Sequence, residues 1–266
     1  MMQTINNLVL VEKKDFIAFL TIHYPEKRNA LTPELLMDLC INMETFSKND
    51  DIRCVVIRGS GDKAFSSGYD IAAIPVDKQP DNRQETPEVL WRTLNAIKNF
   101  PYPTIAMLNG HAFGAGFNLC ACCDIRIAAD SIRMGMTPAR LGVAYHPGGI
   151  QQFIEAFGIA RTKEIFYTAG TFQGKDLLRK GLVDYIVPKL DLEDFTYTYA
   201  KKITQNAPLS LKGIKSIIGM FEKNMELTPF DIGRADKLMQ RCFQSDDLKE
   251  GQAAFLEKRT PKFTGQ

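Results

Sequence analysis

Missing from this 266-residue sequence is any stretch suited to crossing a membrane. The opening Met1-Met2-Gln3-Thr4-Ile5-Asn6-Asn7 shows no basic region followed by an apolar run, so no secretory signal is visible. The most apolar region, 104–129, is interrupted by Asn109, His111, Asn118, Asp124 and Arg126. It therefore does not supply the ~20 apolar residues of a spanning helix. A basic run is missing too. The 33 Lys and Arg balance 31 Asp and Glu to a net +2, which gives no footprint for nucleic acid. The six cysteines include Cys120, Cys122 and Cys123, but no second cysteine or histidine pair stands at zinc-site spacing, so no metal site is expected. Reduced, buried core cysteines fit better, and with them a cytoplasmic location.

What is present is ordinary globular composition, 45% hydrophobic and 24% charged, enough for one large domain or a domain with an appendage. Leu8–Val11 and Ile17–Ile22 read as paired strands. Thr32-Pro33-Glu34 starts a helix with a capping threonine, a proline at the first position and an acid at the positive end of the dipole. Leu35, Leu36, Leu39, Met43 and Phe46 give that helix one apolar face. Buried strands are predicted at Cys54–Ile57, Thr104–Met107 and Ile125–Ala128, with Thr86-Pro87-Glu88 opening a helix between the first two. Residues 75–86 read as a polar loop. The alternation of strand and helix is that of repeated crossover units in an α/β fold. From about 159 the pattern becomes mainly helical, and Thr228-Pro229 opens a helix whose Ile232, Ala235, Leu238, Met239 and Phe243 share a face. The expected organisation is a core over 1–200 and a helical region over 201–266 that packs on itself or on a neighbouring subunit.

Two segments carry candidate chemistry: Ala64-Phe65-Ser66-Ser67-Gly68-Tyr69-Asp70-Ile71, after a buried strand, and Asn109 to Asn118, whose glycines open a helix. Each can leave backbone N–H groups facing a ligand, and small side chains let that ligand approach. Two such donors on one oxygen make an oxyanion hole; a tight turn needed only for packing is the other reading of either loop. Gly110, Gly114 and Gly116 match neither G-x-G-x-x-G nor a P-loop, which argues against nucleotide phosphate.

Together with Lys27-Arg28-Asn29-Ala30-Leu31, Met136-Thr137-Pro138 and Phe255-Leu256-Glu257-Lys258-Arg259, these loops resemble the crotonase (enoyl-CoA hydratase/isomerase) superfamily, in order and spacing, from about residue 5 to the end. The resemblance implies a spiral of ββα repeats with a C-terminal helical appendage, and homotrimers often paired into hexamers. It also implies an acyl-CoA substrate, with coenzyme A entering only as part of that substrate and no separate cofactor. By motif position the oxyanion donors are the N–H groups of Tyr69 and Ala115, where Ala115 replaces the usual glycine. Contacts to the thioester are implied for Arg28, Ala30, Ala64, Ser67, Gly68, Asp70, Ile71, Gly114, Asn118, Thr137, Ala139 and His146. Lys258 is placed to meet a CoA phosphate, across a subunit boundary if need be.

Hydratases of the superfamily use two glutamates to activate water. Here those positions are Asn118 and Ala139, and no Asp or Glu occurs between Asp130 and Glu155. An oxyanion hole without a neighbouring acid suits decarboxylation, which forms the enolate directly by loss of carbon dioxide. The run Met136 to Tyr145 and the tail from Glu250 to Arg259 are similar to the methylmalonyl-CoA decarboxylases of the superfamily. That resemblance implies Tyr145 as a hydrogen-bond donor, at the substrate carboxylate or near the developing carbanion. Those enzymes have histidine where Tyr69 stands and glutamate where Asn118 stands. His146 is a candidate proton donor, whereas His23 and His111 have no partner that the sequence identifies. Two alternatives stay open: a hydratase, isomerase or acyl-CoA hydrolase with non-standard catalytic residues, and a non-catalytic acyl-CoA binder or RNA-associated scaffold.

Overall fold

An antiparallel hairpin, β1 (Val9–Lys14) with β2 (Ile17–Ile22), begins the first sheet, in register from Val9 opposite Ile22 to Lys14 opposite Ile17. The computed structural model describes residues 8–69, 88–141, 144–223 and 229–266, apart from the side chains of residues 141, 223, 231, 235, 239, 242, 243, 252, 255 and 256. β1 buries only Val9 and presents Glu12, Lys13 and Lys14 along the sheet edge, where charge discourages pairing with another chain. β2 is buried at every position. Next comes α1 (Pro33–Phe46), whose N-cap Thr32 accepts the Leu35 N–H on its hydroxyl at 3.3 Å, as its sequence predicts.

Three units of one design follow. Each supplies a strand to the first sheet, a three-residue strand to a second sheet, and a helix. They are β3 (Cys54–Gly59), β4 (Ala64–Ser66) and α2 (Glu88–Lys98); β5 (Thr104–Leu108), β6 (His111–Phe113) and α3 (Ala115–Cys122); and β7 (Ile125–Ala129), β8 (Arg133–Gly135) and α4 (Pro147–Thr168), the last broken at Gly158. The chain continues through β9 (Thr171–Gln173), α5 (Lys175–Arg179) and β10 (Tyr185–Val187). The first sheet runs β1-β2-β3-β5-β7-β10, parallel from β2 onward, and the second runs β4-β6-β8-β9. This is the ββα repeat that the family resemblance implies. β3 and β5 read as continuous apolar runs because both faces of a parallel sheet are covered. α1 and α2 lie together, tied by the Thr93 hydroxyl donating to the Leu36 carbonyl at 2.9 Å.

The region from 159 is less uniformly helical than expected, since β9 and β10 interrupt it. α6 (Leu192–Thr204) then crosses the 200/201 boundary, and α7 (Pro208–Lys223), α8 (Pro229–Phe243) and α9 (Asp246–Glu257) complete the chain. α7 is pinned to the core by Lys215, whose ammonium donates to Asp124 at 2.6 Å and to the Tyr102 carbonyl at 2.9 Å. On α8, Ile232 is exposed and Leu238 half-buried. The loop expected at 75–86, and Thr86, Pro87 and Thr228 of two expected helix starts, lie outside the described residues. Cys40, Cys54, Cys120, Cys122 and Cys123 are buried and free, and burial pushes the Cys123 thiol up to about 12. No helix among the described residues is long and apolar enough to cross a membrane.

Candidate active site

The site is framed by one buried amide. After a short 3-10 turn, Pro25–Lys27, Arg28 and Asn29 both take left-handed backbone, with φ of 53° and 55°. Asparagine tolerates that region better than most residues, and the turn carries its side chain inward, where it is 1% exposed. Its Oδ1 accepts from the Tyr24 N–H and the Ser60 hydroxyl, each at 3.0 Å. Its Nδ2 donates to the carbonyls of Ser60 at 3.0 Å and Ala64 at 2.8 Å, so all four hydrogen-bonding places are used. The Asn29 carbonyl accepts the Ser66 hydroxyl at 2.7 Å, and that hydroxyl accepts the Gly68 N–H at 3.1 Å. Ser67 N–H donates to the Arg28 carbonyl at 3.0 Å, and Leu31 N–H to the Gly68 carbonyl at 2.8 Å. An isolated parallel bridge from Leu31 to Tyr69 completes the seam.

Gly68 then meets the second segment backbone to backbone. Its φ is 98°, and a Cβ there would lie 2.7 Å from the Phe113 carbonyl oxygen and 3.3 Å from the Ala115 nitrogen. No side chain fits, so glycine is required both by conformation and by space. From the other side, a Cβ on Gly116 would lie 2.7 Å from the Ser66 carbonyl oxygen. The end of β4 and the N-terminus of α3 are thus in direct contact. Ala115 is the first residue of α3, so its N–H has no acceptor within the helix and lies at the positive end of the helix dipole. α3 is buried along its whole length, with Ala115 5% exposed, while Tyr69 is half-buried. The fold brings together the two loops that the sequence singles out.

One turn into α3, Asn118 begins a row of neutral polar groups. It is fully buried and donates through Nδ2 to Gln152 Oε1 at 2.7 Å and to Cys122 Sγ at 3.6 Å. Gln152 in turn donates to Asn95 Oδ1 at 3.4 Å. On the other side the Tyr145 hydroxyl donates to Asn118 Oδ1 at 2.9 Å. Burial raises the Tyr145 phenol above its ordinary range, so it stays protonated near neutrality. α4 comes close enough that a Cβ on Gly149 would sit 2.3 Å from Tyr145 Cε1. Trp91 packs edge-on to Tyr145 with ring centroids 6.1 Å apart. Its indole N–H is buried without a partner among the described residues. Every hydrogen-bond partner of the Asn118 side chain among the described residues is uncharged. Glu155, one turn beyond Gln152 on α4, is held instead by Lys98 and by Gln151 Nε2 at 2.9 Å.

Several expected residues fall elsewhere. Ala30 and Ala64 are buried behind the seam, and Arg28 is exposed beside it. Thr137 is half-buried and Ala139 exposed, at the short 3-10 turn Pro138–Leu141. His146 is exposed, stacks on Trp91 at 4.3 Å and caps α4 by accepting the Gly148 N–H on Nδ1 at 3.1 Å. Asp70 and Ile71 lie outside the described residues. Lys258, at the exposed end of α9 with φ 54°, makes no hydrogen bond or ion pair with either loop among the described residues. His111 has a partner the sequence does not identify: the Arg133 N–H donates to its Nδ1 at 3.1 Å. A groove of about 1390 Å³ between α2, α4 and α7 meets this region at Trp91, Asn95, Cys122, His146 and Gln152, and neither Gly68 nor Ala115 lines it. No metal-binding cluster occurs among the described residues. Asn29, Asn95, Gln152 and Trp91 were not singled out from sequence. Of these only Asn29 carried a signal, inside the Lys27–Leu31 motif.

Comparison with known proteins places the chain. A family model described as enoyl-CoA hydratase/isomerase matches residues 12–266. A methylmalonyl-CoA decarboxylase of Escherichia coli is 32% identical over 97% of this chain and 97% of its own. A short-chain-enoyl-CoA hydratase of Clostridium acetobutylicum is 30% identical over 95% of this chain and 96% of its own. Among solved structures, an enoyl-CoA hydratase from Bacillus anthracis superposes with a TM-score of 0.86 at 27% identity, covering 97% of this chain and all of that one.

Proposed function

The chain belongs to the enoyl-CoA hydratase/isomerase (crotonase) family of acyl-CoA enzymes, and on that premise we propose that it decarboxylates a short carboxyacyl-CoA thioester, methylmalonyl-CoA being the leading candidate. The observation that carries this reading is the neutral row at Asn118. Where a hydratase needs a carboxylate to activate water, this protein has a buried carboxamide bonded to Gln152, Cys122 and Tyr145. The similarity to a protein named methylmalonyl-CoA decarboxylase supports it.

In this reading the thioester oxygen sits between the N–H groups of Tyr69 and Ala115. The bond between the α-carbon and the carboxylate carbon breaks, carbon dioxide leaves, and the electron pair passes through the α-carbon to the thioester oxygen. Main-chain donors fixed in advance stabilise that oxygen by ~3–4 kcal/mol each. A proton from water then reaches the α-carbon. Ser67, Gly68, Gly114 and the exposed Arg28 hold the pantetheine side, with Ala30 and Ala64 backing them from the core, and Lys258 serves a neighbouring subunit. Because the Asn118 side chain bonds only uncharged groups among the described residues, nothing anionic in that row opposes the substrate carboxylate.

The test is carbon dioxide release from malonyl-, methylmalonyl- and ethylmalonyl-CoA. Turnover of one of them is expected, and inertness toward all three rejects the proposal. The similarity to a named short-chain-enoyl-CoA hydratase favours hydration as a second reading, for which turnover of crotonyl-CoA is the measurement.

A further inference from the structure

We infer that Gln152 is a positioning residue that fixes the direction of the hydrogen-bond row and so makes the Tyr145 oxygen an acceptor, not a donor, toward any ligand. A carboxamide has one accepting and one donating end. Gln152 offers its oxygen to Asn118 Nδ2 at 2.7 Å and its nitrogen to Asn95 Oδ1 at 3.4 Å. With Cys122 Sγ taking a second contact at 3.6 Å, the donating end of Asn118 is engaged and its oxygen is turned to Tyr145. A phenol has a single proton, and Asn118 takes it. What remains on the oxygen is lone pairs.

This differs from the role that the family resemblance implies for Tyr145, a donor at the substrate carboxylate or near the developing carbanion. Resting on the decarboxylation reading, the row sets specificity at the acyl end. A group that donates, or one that is apolar, is accepted beside the Tyr145 oxygen, whereas a carboxylate finds no proton on that oxygen and is less well solvated. That is the arrangement in which loss of carbon dioxide relieves an unfavourable contact.

The experiment compares Gln152→Met, which removes both ends of the amide at similar volume, with Gln152→Glu, which keeps an oxygen for Asn118. The readout is the titration of Tyr145 in protein containing 3-fluorotyrosine, assigned by its loss in Tyr145→Phe and followed by fluorine NMR without ligand. In Gln152→Met, Asn118 is free to turn its N–H to the phenol oxygen, and the midpoint should fall by about one pH unit. In Gln152→Glu it should stay at or above that of the unsubstituted protein. An unchanged midpoint in Gln152→Met, or the same fall in both variants, overturns the inference.

A measurement on the unsubstituted protein guards against misfolded variants. With carbon-13 at tyrosine Cζ, the engaged Tyr145 proton should exchange slowly enough to give two resonances in mixed light and heavy water, and one averaged line overturns it. Binding of S-ethyl-CoA and S-carboxymethyl-CoA separates this inference from the function beneath it. Gln152→Met should shift preference toward the carboxylate about tenfold. A shifted titration with unchanged preference would keep the row and remove Tyr145 from the acyl pocket.

Discussion

Two turns in this protein have nearly the same backbone and very different surroundings. At Phe113-Gly114-Ala115 and again at Gln173-Gly174-Lys175, a three-residue strand of the second sheet passes through one glycine into a helix. Gly114 has φ 52° and ψ −124°, and Gly174 has φ 56° and ψ −139°. Beyond the first turn, α3 is buried throughout; beyond the second, α5 buries only Leu177. A Cβ on Gly114 would lie 3.9 Å from Gly68 Cα, whereas one on Gly174 would meet nothing within 4 Å. Both turns expose helix N–H groups. Only the first has another strand end laid against it, sewn down by Asn29 and Ser66. A glycine before a helix is therefore local geometry, and it takes two turns in contact to make a candidate oxyanion hole.

That contrast can be attacked from several sides. The largest effect is expected at Gly68→Ala, which forces the Phe113 carbonyl away and parts the two segments. Turnover of the substrate found by the carbon dioxide assay should fall about a hundredfold or more, and a variant of full activity would mean the contact is dispensable. Asn29→Ala removes four hydrogen bonds at once, three of them to backbone groups, and should lower unfolding free energy by about 3 kcal/mol in denaturant titration. If the loss is near zero, the seam is not held by that amide.

Gly174→Ala supplies the counterpart to Gly68→Ala. It meets no neighbouring atom, so the cost should be the ~1–3 kcal/mol of holding a non-glycine residue at φ 56° and ψ −139°, with turnover unchanged. Loss of activity there would erase the distinction between the turns.

The smallest effect concerns His111 at the start of β6. Partial burial, then the nearby Arg133 charge, hold its imidazole below the ordinary 6.5. The folded state thus binds fewer protons than the unfolded chain in that range. The contribution to stability is present above 6.5 and is lost as pH falls below it. His111→Gln should flatten the pH dependence of unfolding there, and an unchanged profile would assign that dependence to other groups.

Much of the framework was legible in the residues. The Thr32-Pro33-Glu34 start, the apolar runs of β2, β3, β5 and β7 and the two glycine-bearing loops all carry their own local signals. The second sheet did not. Ala64-Phe65-Ser66 and His111-Ala112-Phe113 read as turns because three residues are too few to show a period, and parallel pairing within the second sheet makes them strands. The same holds for β9 and β10 in a region whose pattern is helical. In the site, Tyr69, Ala115 and Asn118 could be placed by motif, but the partner of Asn118 could not. Gln152 lies 34 residues away on a different helix, and nothing in its neighbourhood marks it as polar and buried. The row of amides is a product of packing.

Trp91 is the protein's single tryptophan, and it lies against His146 and Tyr145 at one end of that row. All indole emission from a protomer therefore originates at the candidate acyl end. An unlabelled thioester entering there would announce itself in the colour and intensity of the native fluorescence, so the protein carries its own optical gauge of occupancy.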